Sequence, residues 1–416
     1  MESIVIVNGF STSVYLAPYL RKVGFHLVHV EDESTPKYFK SSHREYNYDL
    51  CIEGKSFSEV LSELELFNVY AVIAGTDSGS SLADKLANQL CPQKSNDLSL
   101  SAARNSKHEM FQVLMAAGLT ATEQTIFRNF SLLEAWLENK TYPYVVKPTI
   151  SSGGTGVRIV HDFPSLRSAI TENVSTRTIY DEEPEVLVQT ALVGQEYIVN
   201  TVSASSIHEV VEVWKVQRNK SGVPILSHME LVNNNDVSLI LVEYIRKVLD
   251  CLGWRSGPCH SEVMIVNGKP SLIEVNPRLH GDMLPDILTP IIGTNHVLKT
   301  VDSLSLDKPL AKNLAPPIQS EFCIKMMLHF HESGKIIKQP NWSLIEKLDS
   351  YKGKISRIVN GTYVSSSHSV STSAASIFLS HPSKKVISND FQKIKEWELS
   401  IDECLNSNEL PRKVIL

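Results

Sequence analysis

With 416 residues the chain is too long for one ordinary hydrophobic core, and two or three domains are expected. Its composition, 42% hydrophobic and 21% charged, is that of a globular protein, and a net charge of −6 argues against nucleic acid or an anionic membrane as the main partner. No apolar run approaches the roughly 20 residues of a membrane span. The N-terminus lacks a signal-peptide pattern and the cysteines show no CxxC spacing, so reduced thiols in a cytoplasmic protein are expected.

In chain order, Ile4–Val7 reads as a buried strand, followed by a polar turn Asn8–Ser13 and a helix through Arg21 that stops near Gly24. Phe25–Val30 and Tyr70–Ala74 are further strands, with a helical Phe57–Phe67 between them. This alternation predicts a doubly wound parallel sheet whose loops Asn8–Ser13 and Gly75–Ser80 open on one crevice. Neither loop carries GxGxxG, so a dinucleotide site is not indicated. From Ser99 to Ala117 the pattern is helical. Strands near Thr125–Phe127, Tyr144–Lys147 and Val157–Val160 follow, with helices at Leu132–Asn139 and Pro164–Thr171, as in a small α+β subdomain. A larger subdomain is expected from strands at Glu185–Gln189, Glu196–Val202, Glu209–Val216, Glu262–Val266 and Ser271–Val275, with a helix at Ser238–Leu252. Ala315–Pro317 is linker-like. Phe322–Leu328 reads as a strand, Ser365–Ser376 as a loop before the strand-like Ile377–Leu379, and a last helix follows Asp390.

The strongest chemical signal runs from His260 to Arg278. Asn267-Gly268 between two apolar runs is a hairpin signal. A three-residue loop, Asn267–Lys269, would set Glu262 opposite Glu274 on one face, whereas a two-residue loop would put them on opposite faces. Asn276 shares a face with Glu274 because strand side chains repeat every two residues. Two carboxylates and an amide oxygen are hard ligands suited to Mg²⁺ rather than zinc. Arg278 adds a fixed fork of donors for phosphate or carboxylate oxygens. The glycine stretch Ser151–Gly156 can bring backbone N–H groups close to an anion but lacks the Gly-Lys-Ser/Thr of a P-loop. Lys107 and Lys147 can neutralise phosphates, and Glu196 can accept hydrogen bonds from ribose hydroxyls.

As an ordered set these residues resemble the ATP-grasp ligases, and most closely the L-amino acid ligase (dipeptide synthetase) branch. The resemblance runs over nearly the whole chain, including Ser101–Lys107 and Met115–Leu119. It implies that Lys107 and Lys147 contact ATP phosphates and that the glycine loop, with Ser152, Gly153, Gly154 and Thr155, folds over the triphosphate. Gln189, Leu192 and Glu196 would meet adenine and ribose. Glu262, Glu274 and Asn276 match the ligands of two Mg²⁺ ions, with Mn²⁺ the alternative metal. His260, Arg278 and Gly281 match positions lining the acyl-phosphate and substrate site. The sequence departs from the family at Gln189, where a carboxylate is common, at Thr190, where related ligases carry lysine, and at Asn8, where an acidic residue is expected.

The implied architecture is α/β with α+β parts. It comprises a Rossmann-like N-terminal domain (1–98), a small ATP-grasp subdomain (99–185), a large antiparallel-sheet subdomain with the metal site (186–310) and a C-terminal segment packed on it (311–416). The implied activity is ATP-dependent amide formation, as in a dipeptide, through an acyl phosphate with release of ADP and phosphate, in specialised peptide or antibiotic biosynthesis. The implied partners are small amino acids or other carboxylates and amines, with a homodimer as the candidate assembly. Two other readings are a carboxylase or purine-type ligase using a one-carbon acid, and a nucleotide-binding module without turnover.

Overall fold

A computed structural model describes residues 1–32, 35, 48–150, 153–175, 185–219, 224–233, 236–305 and 317–407. Strands β1 (Glu2–Val7), β2 (His26–Val30), β3 (Leu50–Ile52) and β4 (Asn68–Ala74) form a parallel sheet in the order β3-β2-β1-β4. The short β3 carries too little pattern to be read from the sequence. Because side chains alternate across a strand, Val5 and Val7 pack on one face against Val60, Leu64 and Leu86. Ile4 and Ile6 pack on the other against Leu16, Leu20 and, from the far end of the chain, Val297 and Val301. Both faces are covered, as a parallel sheet requires.

The expected single helix over 99–117 is broken. Ser106 is extended (φ −102°, ψ 123°) and caps a new helix, Lys107–Ala116, so that Lys107 becomes its first residue. The break follows Arg104, whose guanidinium donates to Asp84 Oδ2, to the Asp97 carbonyl and to the Leu252 carbonyl, each at 2.8 Å. Arg104 is 1% exposed and ties the N-terminal sheet's helix Ser80–Leu90 to the end of helix Asp236–Cys251. Removing one partner of a buried ion pair strands the other. Arg104→Met is therefore expected to cost about 3–5 kcal/mol, measured by urea unfolding.

A second sheet consists of β5 (Gln124–Ile126), β6 (Tyr144–Pro148), β7 (Arg158–Val160) and β8 (Val186–Thr190), antiparallel in the order β5-β8-β6-β7. Helices Phe130–Leu137 and Phe163–Ser175 cover one face. Here the sequence-based boundary at 185/186 is corrected: β8 pairs with β5 and β6 and belongs to the small sheet. A strand's own pattern does not say which sheet supplies its partner.

The largest sheet has eight strands in the order β13-β12-β9-β10-β11-β14-β18-β16. They are β9 (Gln195–Ala204), β10 (Ile207–Arg218), β11 (Leu226–Leu231), β12 (Gly257–Val266), β13 (Lys269–Asn276), β14 (Phe322–Leu328), β16 (Tyr351–Ser356) and β18 (Ala375–His381); β15 (Gly334–Ile336), β17 (Tyr363–Val364) and β19 (Leu405–Asn406) form a small separate sheet. Gly194, just before β9, lies so close to β12 that an added Cβ would sit 2.0 Å from the Ile265 carbonyl oxygen. Tyr197, Val199 and Val263 pack on helices Asp236–Cys251 and Lys107–Ala116. Ile198, Trp214 and Met229 face Leu288 and Ile291 of helix Pro285–Ile292. The C-terminal segment does more than pack on this sheet, since β14, β18 and β16 extend it. The linker-like Ala315–Pro316 lies outside the described residues.

Candidate active site

The β12–β13 hairpin turns through Asn267 (φ 49°) and Gly268 (φ 78°), and Val266 pairs with Lys269, so the loop has two residues. That length alone would put Glu262 and Glu274 on opposite faces. A β-bulge corrects it. Val263 pairs with Leu272, but the next pair is Glu262 with Glu274, so Ile273 is the extra residue that shifts the register by one. His260 then pairs with Asn276, and all four polar side chains share one face. Deleting Ile273 removes the bulge but still sets Glu274 opposite Glu262 in a regular register, so ATP turnover, read by an ADP-release assay, is expected to persist in that variant.

This face receives two lysines from other elements. Lys107 Nζ lies 2.8 Å from Glu274 Oε2. The break at Ser106 aims Lys107 here from a helix start, where its backbone N–H bonds the Thr149 carbonyl. Lys147, in β6, is 4% exposed. Burial, and then the charge of Lys107, push its ammonium down to about 8, against the pull of Glu274 and Glu262. Burial would raise the Glu274 carboxyl, but the charge and hydrogen bond of Lys107, with Lys147 and the Asn276 amide, outweigh it and hold the carboxyl below the usual range. Glu262 moves the other way, raised by burial and by Glu274 beside it. Opposed carboxylates with one pushed up need positive charge between them, and the Lys107 ammonium supplies part of it. Two carboxylates and an amide fit a hard divalent ion that takes its remaining ligands from phosphate and water. Among the described residues no group of three or more His, Cys, Asp and Glu is gathered for a metal; this set reaches three ligands only by counting Asn276.

Glu196 is held by Arg218, Nη2 to Oε1 at 2.6 Å and Nε to Oε2 at 2.7 Å. Arg218 was not singled out in the sequence. Burial works against its charge, but Glu196 and the more distant Glu262 and Glu274 outweigh it and raise its pKa. Gln189 lies beside Val145 in β8, on the face that also carries Lys147, and its buried Nε2 has no hydrogen-bond partner among the described residues. A buried donor left open on the face that carries Lys147 suits an acceptor atom of a bound ligand. Leu192 is half-buried in the segment that crosses from β8 to β9. Gly153 (φ 66°), Gly154 (φ 79°) and Thr155 form a turn after β6, whereas Ser152 lies outside the described residues. The Gly153 carbonyl accepts a hydrogen bond of 3.4 Å from Val370 N, which ties the loop to the C-terminal segment.

The crevice is completed by the N-terminal sheet. Asn8 Nδ2 donates to Ser78 Oγ at 2.8 Å and Ser13 Oγ to the Gly75 carbonyl at 2.6 Å, so the two predicted loops meet. Arg278 Nε lies 2.8 Å from both carboxylate oxygens of Asp77, a partner that sequence spacing could not reveal. The cavity on the other side of Asp77 is lined also by Ser78, Asn105, Lys107, Glu274 and Asn276. His260 Nδ1 bonds Asn200 Oδ1 at 2.9 Å, and its ring stacks on His280 at 4.5 Å. Burial, then Arg278, lowers its pKa to about 3, so the ring is neutral. Gly281 lies where an added Cβ would be 3.5 Å from Ser11 Oγ and 3.9 Å from Arg278 Nη1.

Residues 105–282 match the model of the ATP-grasp domain. The chain is 29% identical over 315 residues to dapdiamide A synthase of Enterobacter agglomerans, covering 73% of each protein. It is 26% identical over 194 residues to a phosphoribosylamine–glycine ligase of Chlorobaculum tepidum, covering 43% of this chain and 45% of that one. Among solved structures, an L-amino acid ligase from Bacillus licheniformis superposes with a TM-score of 0.77 at 17% identity, over 95% of this chain and 97% of that one. An N5-carboxyaminoimidazole synthase from Aspergillus clavatus, in complex with ADP and its ribonucleotide, gives 0.70 at 12% identity, over 96% and 99%. These likenesses show that the chain has the ATP-grasp fold. No helix among the described residues is long and apolar enough to cross a membrane.

Proposed function

We propose that the protein is an ATP-dependent carboxylate–amine ligase that joins amino acids or amino-acid-like substrates through an acyl phosphate, releasing ADP and phosphate. The observation that carries this reading is the convergence of Glu262, Glu274 and Asn276 with Lys107 and Lys147 on one wall of a crevice that Arg278 and Asp77 close. Dapdiamide A synthase, a relative over 73% of this chain, supports an amide product of specialised peptide biosynthesis.

The substrate carboxylate attacks the γ-phosphate in line, so catalysis rests on positioning and charge neutralisation rather than on a protein nucleophile. Lys107 and Lys147 hold phosphate oxygens, Gln189 and Leu192 meet the base, and Glu196, fixed by Arg218, faces the ribose. Glu262, Glu274 and Asn276 would hold two Mg²⁺ ions, or Mn²⁺. Such ions would supply positive charge to offset the charge that develops on the transferring phosphoryl group. Arg278 orients the reacting carboxylate, and His260 and Gly281 line its pocket. The loop with Gly153, Gly154 and Thr155 shields the acyl phosphate from water. An amine then displaces phosphate. The enzyme works in the cytoplasm, where its six cysteines stay reduced, and a homodimer is the candidate assembly.

ADP release from ATP, Mg²⁺ and pooled amino acids tests the reading, with amide products identified by mass. Chelation of the metal by EDTA should stop the release. Release that depends on bicarbonate or formate instead would favour the purine-type ligases among its relatives, and no release with any acid would leave a binding module.

A further inference from the structure

A second cationic cluster lies on the same face of the large sheet and has no part in the chemistry above. Lys325 in β14 is 2% exposed and reaches Asp282 Oδ2 at 3.2 Å. Arg357, just after β16, donates to Asp282 Oδ1, and the Ser376 hydroxyl donates to Asp282 Oδ2. One carboxylate thus serves two cations. A further carboxyl, Glu212, is engaged by Trp214 Nε1 at 2.6 Å and its pKa is pushed by burial up to about 7, so it compensates the surplus incompletely. A buried surplus of positive charge is costly unless an anion joins it.

The location says which anion. Lys325 Nζ lies 3.5 Å from the Gly281 carbonyl oxygen, and Arg278 Nη1 lies 3.9 Å from where a Gly281 Cβ would stand. Two cationic sites therefore flank Gly281, with Arg278 on the phosphate side and the Lys325–Arg357 pair beyond it. Asp282 N donates to Ser11 Oγ at 3.2 Å, so the pair borders the crevice shared with the N-terminal sheet. Arg357 Nη1 also donates to Ser373 Oγ at 3.1 Å, in the turn whose Val370 binds the glycine loop. Arg357 keeps 26% of its side chain accessible, whereas Lys325 is enclosed.

An amino acid acting as the amine brings a carboxylate of its own, which must be kept away from the phosphate being transferred. We propose that Arg357, backed by Lys325 and oriented by Asp282, binds the free carboxylate of the amine substrate, which is therefore an α-amino acid or peptide rather than a simple amine. This rests on the ligase reading. No bond changes at this site, which selects and orients the nucleophile.

The test uses the full chain with ATP, Mg²⁺ and the twenty pooled protein amino acids, with or without hydroxylamine. Hydroxylamine traps an acyl phosphate as a hydroxamate and has no carboxylate. In wild-type protein both hydroxamate and dipeptides should form. In Arg357→Gln and Lys325→Met the ratio of dipeptide to hydroxamate should fall about tenfold or more, the loss of a charge-assisted hydrogen bond, through KM for the amine. Arg357→Lys should keep most of the ratio. An unchanged ratio, whether both products persist or both fall together, would reduce the cluster to a structural clamp and overturn the proposal. Absence of hydroxamate in wild-type protein would instead overturn the ligase reading itself.

Discussion

Glu274→Ala is expected to lower ATP turnover by about 10³-fold or more, because several kcal/mol of charge stabilisation at the transferring phosphoryl group would depend on the divalent ions proposed to bind there. The substitution also leaves Lys107 without the carboxylate that holds its ammonium at 2.8 Å, so the lysine loses its aim as well as its neutraliser. Glu274→Gln keeps the shape and a carbonyl oxygen but not the charge, and should fall almost as far. Glu262→Ala should behave similarly, since the paired carboxylates form one site. The measurement is Mg²⁺-dependent ADP release, with the thermal midpoint as a folding control. Turnover within tenfold of wild type in a folded Glu274→Ala protein would remove the metal assignment.

Arg278→Ala should separate nucleotide binding from amide formation. Arg278 Nε is held by Asp77, which together with Lys107 lines the crevice. We therefore expect ATP affinity within a few-fold of wild type and amide formation reduced by about 10²–10³-fold, the usual effect of removing a donor aimed at developing charge. Arg278→Lys should recover little, because an ammonium cannot reproduce the planar fork. Part of any stability change would come from the stranded Asp77, and Asp77→Asn in the same background would report it. Equal loss of ATP binding and amide formation would place Arg278 with the nucleotide instead of the substrate.

The chemistry of the hairpin was legible because it depends on residue type at short range. Glu262, Glu274 and Asn276 stand within one hairpin, and period-two alternation fixes which neighbours share a face. Their alignment was not legible. The two-residue turn is encoded plainly by Asn267-Gly268, and it argues against the arrangement that exists. Ile273, an ordinary strand residue, absorbs the shift, and a bulge leaves little trace in the apolar pattern. The helix break at Ser106 was hidden for a related reason, since a serine can sit inside a helix or cap one and only its surroundings decide.

By itself the sequence determined the alternating elements of the N-terminal sheet, the glycine turn after β6 and the carboxylate and amide side chains that share one face of the hairpin, all of which follow from local propensity, periodicity and side-chain chemistry. The tertiary structure alone decided that β8 joins the small sheet, that Arg218 clamps Glu196, that Asp77 meets Arg278 and that Lys325 and Arg357 converge on Asp282. The last three bring together groups that lie 22 to 201 positions apart. Such pairs form only after distant segments close on a common core, and the entropy of that closure is repaid by burial spread over the whole molecule, which no short stretch of sequence records.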